Sequence, residues 1–105
     1  PGQEVVLLET HSHRGLAQLI AEGHSFDFIY VDGSHLAPDV MADACLGFHL
    51  LKEGGIMVFD DYLWGAEKPI LETPKFAVDL FTTLFRDKIT VIMLGYQLAF
   101  KKNGS

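Results

Sequence analysis

The sequence predicts an α/β domain: a mostly parallel sheet of about five strands, helices on both faces, and an antiparallel hairpin at the C-terminal end. Three observations predict it. Short apolar runs alternate with helix-length amphipathic segments in the order β-α-β-α-β-α-β-β, and such alternation implies crossovers between parallel strands. The runs Phe26–Val31 and Gly55–Phe59 are nearly continuous in apolar residues, as strands covered on both faces are. The last two runs, Ile89–Leu94 and Tyr96–Lys101, are separated by Gly95 alone, which is too short for a crossover, so they pair antiparallel.

Each element has its own signal. Glu4–Glu9 (EVVLLE) reads as a short buried strand. Ser12 caps the helix that follows, Leu16, Leu19 and Ile20 recur at helical spacing, and Gly23 stops it. Pro38 suits a first helical turn, where its missing N–H is no loss. Val40, Met41, Ala44, Phe48 and Leu51 fall on one helical face, with Asp39 and Asp43 off it. Lys52 closes that helix, and Gly54-Gly55 supplies the turn into the third strand. A loop from Asp61 to Thr73 leads to Pro74 and a helix from Lys75 to about Asp87, with Ala77, Leu80, Phe81, Leu84 and Phe85 as its inner stripe. No repeat or linker divides residues 1–105, so one domain is expected.

Composition narrows the partners. The chain is 49% apolar and carries a formal net charge of −6, with no basic stripe, which argues against nucleic acid and anionic membrane surfaces. Lys101 and Lys102 read as a solvated strand end. No apolar run approaches the ~18–20 residues that span a bilayer. The first four residues hold no basic segment of a signal peptide, so a cytoplasmic location is expected. Cys45 is the one cysteine; it excludes an internal disulfide and reads as a buried inert thiol.

The chemistry gathers between Phe26 and Trp64. Two strands in a β-α-β unit point the same way, so Asp32, after the first, and Asp60 and Asp61, after the second, emerge at one edge of the sheet. Open α/β sheets bind ligands at such edges. Three carboxylates there repel one another, which a divalent cation with oxygen ligands such as Mg²⁺ relieves. His35, three residues past Asp32, is placed to serve as a general base. His11, His13 and His24 lack zinc-type spacing and read as surface residues. His49 reads as structural. Tyr62, Leu63 and Trp64 either cover a ligand or pack their loop down. There is no Walker loop, nucleophile elbow or G-x-G-x-x-G.

The segments FDFIYVDGSH, LLKEGGIMVFDDYLW, PKFAVDLF and GYQLAFKK resemble the class I S-adenosylmethionine-dependent methyltransferases, in particular the methyltransferase domain 24 type. EVVLLETHSHRGLAQLI is similar to that family's third strand and following helix. The resemblance implies a Rossmann-like three-layer fold, here a partial one. It implies S-adenosylmethionine as cofactor, Asp32, Asp60 and Asp61 as Mg²⁺ ligands, His35 as base toward a small-molecule hydroxyl substrate, and Ser12 near the cofactor's adenine. The family's glycine-rich first unit and acidic second strand have no counterpart in this chain. Glu4–Glu9 must therefore move beside Phe26–Val31, leave the sheet, or pair with another chain, and a homodimer or larger assembly is expected. A non-catalytic oligomeric binding protein derived from such a half-domain is the alternative function. A metal-assisted hydrolase using the same acids and histidine is a third.

Overall fold

The structure, a computed structural model, describes residues 5–8, 13–31 and 36–104. Five strands form one sheet in the order β1-β2-β3-β5-β4. β1 (Val5–Leu8), β2 (Phe26–Val31) and β3 (Leu51–Phe59) pair in parallel. β5 (Leu98–Lys102) runs antiparallel to both β3 and β4 (Ile89–Leu94). Four strands thus point one way and β5 alone points back. The α/β class, the strand number and the terminal hairpin agree with the sequence. Of the placements open to the first strand, the structure shows the one beside β2, with Val5 opposite Phe28 and Leu8 opposite Val31.

Three helices connect the parallel strands: α1 (His13–Ala21), α2 (Ala37–Leu50) and α3 (Pro74–Leu84). α2 packs against α1 on one side and α3 on the other. The helices expected on both faces therefore lie side by side on one, and the described residues form two layers. The cause is topological. Each crossover from β1 through β4 advances toward the same sheet edge, and right-handed crossovers taken repeatedly in one direction stay on one face. Under that helical layer lie Ile29, Val31, Met57, Phe59 and Phe100, packed against Val40, Ala44 and Phe48 of α2 and Ala77, Val78 and Phe81 of α3. Strand alternation turns Phe28, Tyr30, Ile56, Val58 and Ala99 to the other face.

Several local expectations are corrected. Helix α2 ends at Leu50, and Leu51 and Lys52 already belong to β3. Gly54-Gly55 is a bulge inside that strand: the pairing steps from Phe26 opposite Leu51 to Phe28 opposite Ile56. Asp43, expected off the inner face, is 0% exposed, because α1, α3 and the sheet surround α2. On α3 the buried residues are Pro74, Ala77, Val78 and Phe81, while Leu80 and Leu84 face solvent. The inner stripe is rotated by about one position from the expected one. α3 stops at Leu84, and Arg86–Lys88 forms a separate tight turn.

His49 is exposed rather than structural, and His24 is at the surface as expected. His11 and the side chain of His13 lie outside the description. Cys45 is half-buried, its sulfur 3.8 Å from that of Met41, and burial pushes the thiol up, in keeping with an inert role. Lys101 is solvated, but Lys102 is not. Its Nζ donates to the carbonyls of Phe48 and Leu51, each at 2.9 Å, and sits 4.3 Å from the centre of the Phe48 ring. A lysine from the last strand thus adds a charged donor to carbonyls where α2 passes into β3.

Candidate functional site

β2 and β3 end level, with Val31 opposite Phe59. The Asp60 N–H donates to the Val31 carbonyl at 3.1 Å, so Asp60 stands at the exit of both strands. Asp61 follows with φ of 55°, the left-handed region that aspartate tolerates better than most residues. Its carbonyl accepts from the Trp64 N–H at 2.9 Å, which closes a turn over the strand end. Both acids are half-buried.

The turn between β4 and β5 reaches the same edge. The Leu63 N–H donates to the Tyr96 carbonyl at 3.3 Å. Gln97 Nε2 lies 2.9 Å from Asp60 Oδ1 and 3.2 Å from the Tyr30 hydroxyl. The Tyr96 hydroxyl bonds the Asp61 carboxylate. Desolvation, that hydrogen bond, and the charges of Asp61 and Asp60 all hold the Tyr96 phenol above its ordinary range. The expected site residues Asp60 and Asp61 are thus brought together, while Ser12, Asp32 and His35 lie outside the described residues. Among the described residues no group of three or more histidine, cysteine or acidic side chains is arranged to hold a metal. The two carboxylates do fit a hard divalent cation in donor type.

Sequence reasoning missed Tyr30, Tyr96 and Gln97. Tyr30 is legible from strand parity, one residue before Val31. Tyr96 was expected within a strand and instead lies with Gln97 in the turn 95–97.

The loop after Asp61 is fastened to α3. Tyr62 is 5% exposed, and its hydroxyl donates to Asp79 Oδ1. The other oxygen of Asp79 takes Lys75 Nζ at 2.6 Å. Of the two roles open to the loop aromatics, Tyr62 takes the packing one. Burial, then the hydrogen bond and charge of Asp79, push the Tyr62 phenol up, and the Asp79 hydrogen bond likewise raises Lys75. Both groups hold their protons more tightly folded than unfolded. Their contribution to stability is therefore full below the ordinary tyrosine value of 10.0 and is lost as pH rises through the folded values. Chemical denaturation at rising alkaline pH is expected to show this loss, with Tyr62→Phe removing the tyrosine part. An unchanged slope in Tyr62→Phe would contradict the assignment.

A sheet of this order, with paired acids at its strand ends and a closing antiparallel hairpin, is a partial methyltransferase-type α/β fold. The family model described as a methyltransferase domain matches residues 2–62, and the chain belongs to that family. Among solved structures it is similar to the MycE methyltransferase of the mycinamycin biosynthetic pathway, in complex with Mg, SAH and mycinamycin VI. That likeness has 17% identity and a TM-score of 0.68 and covers 91% of this chain and 30% of that one. It is also similar to an O-methyltransferase from Bacillus cereus in complex with SAH, at 18% identity and a TM-score of 0.60, covering 85% of this chain and 46% of that one. TomG, an O-methyltransferase from Streptomyces achromogenes involved in tomaymycin synthesis and bound to SAM, matches at 15% identity and a TM-score of 0.59. That match covers 98% of this chain and 63% of that one. The chain therefore spans less than two thirds of each of these structures. No curated protein matches the sequence. No helix of the described residues is long and apolar enough to cross a membrane.

Proposed function

We propose that the chain is the acceptor-side part of an S-adenosylmethionine-dependent O-methyltransferase domain, cytoplasmic, acting on a hydroxyl of a small molecule. The observation that carries this reading is the pair Asp60 and Asp61 at the shared exit of two parallel strands, in a chain of the methyltransferase family. In this reading Asp32 joins them as the third metal ligand, His35 is the base, and Ser12 lies toward the adenine. A divalent cation held there supplies positive charge that makes a bound hydroxyl easier to deprotonate. The neutral donors Gln97 and Tyr96 keep the two acids satisfied and aimed.

Thermal denaturation tests it, because a ligand that binds only the folded state raises the midpoint. Mg²⁺ is expected to raise the midpoint, Asp60→Asn and Asp61→Asn to abolish that rise, and S-adenosylmethionine to add to it. No response to either ligand would overturn the reading.

A second reading, a non-catalytic homo-oligomer, is favoured by β4. That edge strand exposes Val91, Ile92, Met93 and Leu94 and, among the described residues, pairs only with β5. A second copy adding to this edge gives a homodimer or larger assembly. A response to Mg²⁺ alone together with a dimer in light scattering supports it, and a stable monomer at micromolar concentration removes it.

A further inference from the structure

A separate recess of about 310 Å³ opens between the loop after Asp61 and the first half of α3. Its walls are mainly apolar, from Leu63, Trp64, Ile70 and Phe76, and Lys68 and Lys75 also line it. Leu63, Ile70 and Phe76 are large apolar residues left exposed to solvent. A recess of this size with aromatic walls and a few polar groups has the character of a small-molecule site.

The two lysines differ. Lys75 is engaged by Asp79 and lies beneath Tyr62, so it belongs to the fastening of the loop. Lys68 is set over the Trp64 ring, 5.5 Å from its centre. The turn that carries it is tight. Gly65 adopts φ of 72°, and the Lys68 N–H returns to its carbonyl at 2.8 Å. A Cβ at Gly65 would come within 3.2 Å of the Lys68 stem. Lys75 and Asp79 offset each other in charge, so Lys68 gives the recess its net positive charge, which favours an anion in a chain of net charge −6.

We propose that this recess binds a flat aromatic ligand bearing one anionic group, its ring against Trp64 and Phe76 and its anion on Lys68. Binding of this kind does not depend on methyl transfer. Only the further step, that the ligand is the methyl acceptor, rests on the proposed function. The Trp64 N–H bond to the Asp61 carbonyl places the recess beside the acid pair.

Trp64 is the only tryptophan, so its indole N–H resonance reports on the recess alone. Titration with naphthoate is expected to shift that resonance saturably. Neutral naphthamide, and naphthoate with Lys68→Gln, are expected to bind roughly tenfold more weakly, the ~1.4 kcal/mol scale of one charge-assisted hydrogen bond. Phe76→Ala is expected to abolish the saturable shift at an unchanged melting temperature. Lys101→Gln, on a distant strand, is expected to leave the affinity unchanged. No saturable shift in the unaltered chain overturns the site. Equal affinity for naphthoate and naphthamide, or equal weakening by Lys68→Gln and Lys101→Gln, overturns the anion recognition. The Mg²⁺ and S-adenosylmethionine melts test the methyltransferase reading independently, so either can fail alone.

Discussion

Replacing Phe81 with alanine is expected to lower folding stability by about 3–5 kcal/mol, the usual cost of emptying a fully buried phenylalanine position. Phe81 is 0% exposed and joins three elements. Its ring centre lies 4.4 Å from that of Phe85, 5.6 Å from Phe48 on α2 and 5.7 Å from Phe100 on β5. The cavity would open where α2, α3 and the sheet meet, and none of the neighbouring rings can close it without leaving its own contacts. Native domains have only ~5–15 kcal/mol in hand, so the variant is expected to be partly unfolded at physiological temperature. Urea denaturation measures the loss, and a change below ~1 kcal/mol would contradict the packing described. Leu84→Ala, one turn further on but 68% exposed, is expected to stay within about 0.5 kcal/mol.

The second large effect is expected at Gly55, where alanine should cost about 1–3 kcal/mol through overpacking. A Cβ there would meet the Lys52 carbonyl oxygen at 2.8 Å, the Asp27 carbonyl oxygen at 2.9 Å and a Leu51 methyl at 2.7 Å. Two of these are backbone atoms and cannot swing aside. The glycine allows the bulge that carries β3 from its first pairing at Leu51 to the register that brings Phe59 opposite Val31. Disturbing it therefore reaches the acid pair. In Gly55→Ala the Asp60 amide, which donates to Val31, is expected to exchange with solvent faster than in the unaltered chain. Unchanged stability and exchange would show that the bulge does not need glycine.

The ends of β2 and β3 were legible because an apolar run terminated by aspartate leaves few other readings. The family was legible for the same reason, since its motifs sit on those ends. The bulge was not, because Gly54-Gly55 has the local chemistry of a turn, and only pairing with a distant strand makes it part of one. Val78 lost to Leu80 and Leu84 in the sequence reading for a similar reason. Three apolar residues compete for one stripe, and the neighbouring α2 decides which are covered. Lys102 looked solvated because its partners, Phe48 and Leu51, lie far back in the chain. The contacts of Gln97 with Asp60 and Tyr30 join a turn to two strand ends far from it in sequence, a relation that no local pattern encodes. Asp32 and His35 remain expectations from the strand-end pattern and the resemblance, and Ser12 from the resemblance alone.

If the chain takes part in methyl transfer as proposed, the order β1-β2-β3-β5-β4 has a consequence for where the donor would sit. Open α/β sheets form their ligand crevice where the winding reverses, because there two successive connections leave in opposite directions and part above the strand ends. Within the described residues the winding never reverses: every crossover moves the same way, on the same face. On the reading proposed above, Asp60 and Asp61 would border one flank of such a crevice, and its other flank would call for a strand beside β1 wound in the opposite sense, with its helix on the face that carries Phe28, Tyr30 and Ile56.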